Sequence, residues 1–244
     1  MKYSLSKINI VQIVFFVCEW FLATLNSGYY FTERIKYIED FSRHFMHSSA
    51  GYTALQGNVG IVMTAFYCIM LHQFIRNVGI RDIISYGRDK FVFHDIKSIT
   101  KFTFLFVFEF WIVNIILCMV FCDFSLLLET QFFLCNILFF VTLFLYFIIV
   151  GFTMLLLRYV LCFKKGYMLI TIALFFFLTI INFYIALTPV FYSSFIYDWF
   201  RNNAFDALDY CINIGKAIII IAILIAANRL VFSRKDIILN EEQD

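Results

Sequence analysis

The sequence has few of the residues that keep a chain in water or that interrupt helices. Of its 244 residues, one is proline, nine are glycine and only 15% are charged, whereas 63% are hydrophobic. This composition excludes a disordered chain and a collagen-like fibre. An ordinary soluble domain is also excluded, because a globule of this size leaves much of its surface in water and cannot hide so much apolar surface. We therefore predict an all-α, polytopic membrane protein.

The small net charge and the missing motifs exclude several classes of function. The net charge is only +2, so binding to nucleic acid has no electrostatic support. The sequence contains no GxxxxGK[ST] nucleotide-binding loop and no HExxH or GxSxG catalytic motif. Its four histidines do not cluster with cysteine or aspartate. We therefore expect no enzymatic activity, no bound cofactor and no metal site in this chain.

Six stretches are long and apolar enough to cross a bilayer, which takes about 20 mostly apolar residues. They form a single transmembrane domain over 1–244 and run roughly over Ile8–Leu25, Gly51–Phe74, Lys101–Phe121, Gln131–Leu157, Tyr167–Leu187 and Cys211–Ala227. Of the 19 Lys and Arg residues, 14 lie in the loops on the side of the N-terminus, four lie on the other side, and Lys216 lies in the last stretch. Cytoplasmic loops carry an excess of Lys and Arg. Both termini are therefore predicted to be cytoplasmic.

Three connections between these stretches are longer than simple turns, and their apolar spacing predicts amphipathic surface helices. The connections 26–50 and 188–210 are predicted to lie on the outer surface, and 76–100 on the cytoplasmic surface. The cytoplasmic connection combines an apolar side with charged residues such as Arg81 and Asp82. This pattern is typical of a docking site for a soluble partner and equally typical of a loop that lies on anionic lipid.

Polar residues inside the predicted spans are the candidates for function, because charges are expensive in the bilayer and normally face protein or a water-filled cavity. Glu19 and Lys216 lie at similar depth near the outer surface and could form a pair. Glu109, with Asn114 beyond it near the middle of the third span, is the stronger candidate, as a substrate contact or part of a dimer interface. The alternative for these charges is structural, either as an ion pair or as a protonated, hydrogen-bonded carboxyl group.

A stripe of small residues marks the second predicted span. Gly57, Gly60 and Thr64 recur at helical spacing along one face. Small residues let helices approach closely in lipid. The stripe therefore predicts a helix-packing face.

The layout resembles the permease subunits of type-two ATP-binding-cassette exporters. The segment RDIISYGRDKF, residues 81–91, is similar to the basic Tyr-Gly-x-Arg stretch of that family's cytoplasmic loop. The resemblance implies a second permease copy, identical or different, and a separate ATPase that binds ATP and Mg²⁺. That ATPase would dock at a coupling segment comprising Arg81, Asp82, Arg88, Asp89 and Lys90.

The same resemblance implies a place and a substrate for the protein. It points to the plasma membrane of a bacterium, with surrounding lipid as a further partner, and to export of an amphipathic or hydrophobic substrate such as a peptide. A different function also fits the sequence, namely a stand-alone membrane immunity or sensor protein that binds a peptide at its outer helices.

Overall fold

In a computed structural model of the chain, the described residues are 5–26, 34–35, 55–75, 88–161, 166–185 and 206–234. Apart from short connections, these residues are helical, and they include no β-strand. The helices are α1 (Leu5–Asn26), a π-helix (Leu55–Met63) that continues as α2 (Thr64–Ile75), α3 (Arg88–Phe121), α4 (Phe124–Glu129), α5 (Phe132–Val160), α6 (Tyr167–Ile185) and α7 (Ala207–Arg234).

Four of these helical segments are long and apolar enough to cross a membrane. They are Asn58–Ile75, Lys90–Phe121, Phe132–Val160 and Ala207–Ser233, and shorter apolar helices cover Asn9–Leu25 and Tyr167–Ile181. The chain is therefore all-helical over its described residues, as the composition predicts, and its long apolar helices are those of a membrane-embedded protein.

The third apolar helix begins earlier than the sequence indicates. Residues 76–100, which include Lys97, were predicted to form a cytoplasmic connection before a span that begins at Lys101, but α3 runs without a break from Arg88 to Phe121. No glycine or proline interrupts these 34 residues. Both lysines lie on the exposed side of the helix, which explains how they fit within it. The predicted amphipathic run from Phe91 to Ile99 is therefore the first part of α3 and not a separate surface helix.

The bundle is organised around α5. This helix packs against α2, α3, α4, α6 and α7, whereas α1 packs mainly along α3. Aromatic rings fill the contact between α1 and α3: the Phe16 ring centroid lies 5.1 Å from that of Phe106 and 5.5 Å from that of Phe110, both edge-to-face. Edge-to-face packing is a favoured arrangement of aromatic pairs. The centre of the protein is thus an aromatic core between α1, α2, α3 and α5.

The outer surface of the bundle is strongly apolar, as expected for helices that face lipid. On α7 one side is exposed over most of its length, with Ile212, Ile219, Ile223 and Leu230 all prominent. In a bilayer such residues need no protein partner, because lipid tails are themselves apolar.

A short piece of the first predicted outer loop docks onto the end of α3. Ile35 forms a parallel backbone bridge with Cys122: its N–H donates to the Phe121 carbonyl (2.8 Å), and its carbonyl accepts from the Asp123 N–H (3.0 Å). Ile35 is buried and extended, although the sequence placed it on the apolar face of a helix. The remainder of the predicted 26–50 helix, and residues 188–205 of the 188–210 connection, lie outside the described residues.

Candidate functional site

Glu109 is a buried carboxyl group in the middle of α3. Only 8% of its surface is exposed, and its Oε2 atom is buried with no hydrogen-bond partner among the described residues. A buried polar group without a partner costs free energy, and an ionised one costs more. Several buried polar atoms share this property, but among the described residues Glu109 is the only carboxyl group that does, so it is a candidate functional position.

Asn114, which the sequence grouped with Glu109, has a different role. Its side-chain amide donates to the Asn136 side-chain oxygen at 2.9 Å and so joins α3 to α5. The Asn136 amide donates in turn to the Phe132 carbonyl, and the Trp111 indole N–H donates to the Asn136 carbonyl at 3.1 Å. The Asn114 side-chain oxygen also accepts from the Cys118 thiol at 3.5 Å, so both ends of the amide have a partner within the bundle. Asn114 is a helix-pairing residue, and it is not bonded to Glu109.

We predict that the amide pair stabilises the contact between α3 and α5 measurably. Replacing Asn114 by alanine should lower the free energy of unfolding by about 1 kcal/mol, since interhelical hydrogen bonds in membrane proteins contribute on this scale. The measurement is a double-mutant cycle with Asn114→Ala and Asn136→Ala in detergent micelles. Strictly additive effects of the two substitutions would show that the amides do not interact.

Glu19 and Lys216 do not form the pair that the sequence suggested. Glu19 is half-buried on α1, and Lys216 is exposed on α7. No ion pair joins these two described side chains; the Lys216 ammonium instead lies 3.5 Å from the Asn213 side-chain oxygen, one turn nearer the N-terminal end of α7. Long cationic side chains in membranes commonly reach toward the headgroups in this way. The structure thus places Lys216 at the exposed surface of α7, next to Asn213 and apart from Glu19.

The small-residue stripe falls partly in the π-helix, and its members have different surroundings. Gly60 is buried, and its carbonyl accepts a hydrogen bond from the Thr179 hydroxyl of α6 at 3.4 Å. Thr64 is buried, donates to the Val59 carbonyl and shares a 2.9 Å hydrogen bond with the Tyr146 hydroxyl of α5. Gly57 lies in the π-helix, and its contacts lie outside the described part of the structure. The packing face predicted for Gly60 and Thr64 thus includes hydrogen bonds to α6 and α5.

A close approach between helices occurs at Gly151, a glycine that the sequence analysis did not single out. A Cβ atom on Gly151 of α5 would lie 2.6 Å from the Tyr67 hydroxyl oxygen and 2.7 Å from Cγ2 of Ile99. The Tyr67 hydroxyl is fixed by a 2.7 Å hydrogen bond to Thr103. Gly151 therefore marks the point where α2, α3 and α5 meet without room for a side chain.

A buried ion pair near the start of α3 was also missed by the sequence. Asp95 and Arg158 are only 2% and 3% exposed, and the Asp95 carboxylate lies 3.8 Å from the Arg158 guanidinium. The Tyr159 hydroxyl donates to the same carboxylate at 2.9 Å. The Tyr159 ring packs against Phe232 of α7, which in turn stacks on Phe91 of α3. These contacts tie α3, α5 and α7 together.

The sequence offered a weak signal for this cluster. Arg158 was one of the 14 Lys and Arg residues counted in the predicted cytoplasmic loops. Asp95 lies within the predicted cytoplasmic connection 76–100. A carboxylate flanked by Phe91, Ile96 and Ile99 could have marked a buried helical face.

The coupling segment is only partly described. Arg81 and Asp82 lie outside the described residues, whereas Arg88 and Asp89 form the first turn of α3. Lys90 is exposed. The structure therefore places the end of the coupling segment directly at the beginning of the helix that carries Glu109.

Comparison with known proteins does not assign this chain to a family. No protein-family model, no curated protein and no solved structure matches this chain. Among the described residues, no group of three or more His, Cys, Asp or Glu side chains is arranged to hold a metal ion. Function is therefore inferred from the residues and contacts of the chain itself.

Proposed function

We propose that this chain is the membrane-embedded permease subunit of a transporter powered by a separate ATPase. Six helices would cross the plasma membrane of a bacterium, with both termini in the cytoplasm. A second permease copy would complete the path for an amphipathic or hydrophobic substrate. ATP and Mg²⁺ would bind to the ATPase, which would dock at the coupling segment.

The observation that carries the proposal is the continuity of α3. The helix starts at Arg88 in the coupling segment and extends to Phe121. Its 34 residues rise about 51 Å, whereas the hydrocarbon core of a bilayer is about 30 Å thick. A displacement at Arg88 would therefore pass along one unbroken helix to Glu109, without an intervening loop to absorb it.

The buried ion pair supports the same interpretation. Asp95 lies two turns beyond Arg88, and its contacts with Arg158 and Tyr159 attach this part of α3 to α5. Phe91 and Phe232 attach it to α7. Because polar and aromatic contacts join all three helices at this level, a force on the start of α3 would also move α5 and α7.

The proposal predicts that reversing charge in the coupling segment uncouples ATP hydrolysis from transport. Arg81→Glu and Arg88→Glu should each reduce recovery of the ATPase with the tagged chain by at least tenfold, since each replaces an attractive charge by a repulsive one. The measurement is purification in mild detergent from the native cell, with quantitative mass spectrometry of proteins that contain a nucleotide-binding loop.

The matched control is Arg229→Glu, which reverses an exposed charge toward the C-terminal end of α7. Its ATPase recovery should equal that of the unmodified chain. Equal recovery in all variants would contradict docking at the coupling segment. Purification of the unmodified chain with no ATPase in several mild detergents would contradict the permease proposal and favour a stand-alone immunity or sensor protein.

A further inference from the structure

We propose that Glu109 and the aromatic contact beside it form a binding site for an organic cation with an apolar body. This inference deepens the proposed function and rests on it, because it names the chemical class of the substrate. The cation would be either a small lipophilic ion or the cationic side chain of an amphipathic peptide, and both have the same chemistry at the site.

The first step is the unpaired carboxyl group. Glu109 is more than nine-tenths buried, yet its Oε2 atom has no hydrogen-bond partner in the described part of the chain. No ion pair joins Glu109 to a described Lys or Arg side chain; Arg158 contacts Asp95, and Lys216 contacts Asn213. A carboxylate in a membrane interior is stabilised strongly by an opposite charge, since little solvent screens the attraction. The missing partner is therefore a cation that comes from outside the described residues.

The second step is the aromatic character of the surroundings. Glu109 is followed at once by Phe110, whose ring packs edge-to-face with Phe16 of α1. Phe16 also contacts Phe106, one turn before Phe110 on α3. The faces of aromatic rings attract cations, and aromatic clusters are a recognised means of binding quaternary ammonium groups. Phe106 precedes Glu109 by three residues, a spacing that makes the two side chains neighbours on the surface of α3. An aromatic ring next to a carboxyl group favours a cation that has a bulky apolar surface over a small hydrated ion.

The third step is access from the lipid. Ile112 and Ile116 follow Glu109 by three and seven residues, so they lie on the same side of α3. Both are exposed, Ile116 to 54%. Glu109 thus lies at the border between the aromatic contact with α1 and a lipid-facing strip. A hydrophobic cation dissolved in the bilayer would reach the carboxylate laterally, without crossing the packed core.

Depth argues against a lipid headgroup as the cation. Glu109 is 12 residues from the end of α3 at Phe121, or about 18 Å along the helix. On the other side, Glu109 is eight residues, or about 12 Å, from the exposed Lys101, where the apolar run begins. A choline or ethanolamine group held at the membrane surface is therefore too far from the Glu109 carboxyl group, whereas a mobile amphipathic molecule can enter.

The test measures binding of tetraphenylphosphonium and of a short cationic amphipathic peptide to the full-length chain in detergent. Equilibrium dialysis against empty micelles gives the bound fraction for each probe. Glu109→Gln should weaken binding of the cationic probe at least tenfold, and Glu109→Asp should retain most of it. Neutral triphenylphosphine oxide should bind the unmodified chain and Glu109→Gln equally, since it carries no charge.

The control variant is Glu19→Gln, which neutralises a half-buried carboxyl group on α1 and should leave binding unchanged. Tighter binding of tetraphenylphosphonium identifies a small lipophilic ion as the cation, and tighter binding of the peptide identifies a cationic side chain. Equal binding of the cationic probes to the unmodified chain and to a folded Glu109→Gln variant overturns the inference, as does binding of neither probe. If the cation site fails this test but the ATPase co-purifies with the chain, the permease proposal stands. If cations bind through Glu109 but no ATPase co-purifies, the cation site stands and the permease proposal fails.

Discussion

Gly151→Ala is expected to destabilise the protein by about 2 kcal/mol. The added methyl group would lie 2.6 Å from the Tyr67 hydroxyl and 2.7 Å from Ile99, closer than any relaxed contact. Tyr67 cannot easily move away, because it is fully buried and hydrogen-bonded to Thr103. Either α5 shifts away from α2 and α3, or the hydrogen bond breaks. The measurement is the free energy of unfolding in detergent micelles, followed by tryptophan fluorescence.

Gly215→Ala is the matched control for this prediction. Gly215 lies within α7, and a Cβ atom there would meet nothing within 4 Å. Alanine has the higher helix propensity, so this substitution should be neutral or should stabilise the protein by about 0.5 kcal/mol. Equal effects at the two glycines would contradict the close approach of α2, α3 and α5 at Gly151.

Asp95→Ala is expected to have a still larger effect, a loss of about 3 kcal/mol. The substitution leaves the Arg158 guanidinium only 3% exposed and without its carboxylate. It also removes the acceptor of the Tyr159 hydroxyl. A buried charge that loses its partner retains its desolvation cost without compensation. The same unfolding measurement detects the loss, and dissociation of α3 from α5 at this end should accompany it.

A double variant separates the cost of the lone charge from the value of the pair. Asp95→Leu combined with Arg158→Leu removes both charges and keeps apolar volume, so it should recover most of the stability lost in Asp95→Ala. Lys97→Ala, at an exposed position two residues away, should change the free energy of unfolding by less than about 0.5 kcal/mol. A double variant as unstable as Asp95→Ala would show that packing, and not the unpaired charge, dominates at this site.

The positions of the helices follow largely from the sequence, because long apolar runs leave few alternatives. The predicted stretch Gln131–Leu157 overlaps α5, and Cys211–Ala227 lies within α7. The helix α3 begins at Arg88, 13 residues before the predicted span that starts at Lys101. A helix can present lysines on its exposed side as it leaves the membrane, so the apolar run alone does not mark where the helix begins.

The site was only partly accessible to sequence reasoning. Glu109 stands out because a charge in an apolar run is conspicuous in any sequence. Asp95 and Arg158 do not, since each is a charge in a charged region and their contact joins positions 63 residues apart. Gly151 is one glycine in an apolar run, and only the neighbouring helices reveal why no larger residue fits.

The π-helix explains why the small residues of the second predicted span do not form the single α-helical face that their spacing predicts. An α-helical spacing of three and four residues places Gly57, Gly60 and Thr64 on one face. Hydrogen bonding from i to i+5 gives each residue a smaller rotation, so the same spacing no longer defines one face. The backbone changes to α geometry at Thr64, and the sequence contains no proline there to announce it.

The bridge at Ile35 restricts which parts of the protein can move independently. Its two backbone hydrogen bonds attach the segment that follows α1 to the end of α3, while Phe16 joins the same two helices farther along. Separating α1 from α3 would have to break the Phe16 contacts, and the bridge adds a second attachment, between Ile35 and the end of α3. The helix α6 packs elsewhere in the bundle, on the π-helix, α2 and α5. The helix α3 is thus fastened at two levels, by aromatic packing against α1 and by main-chain hydrogen bonds to the connection that follows α1.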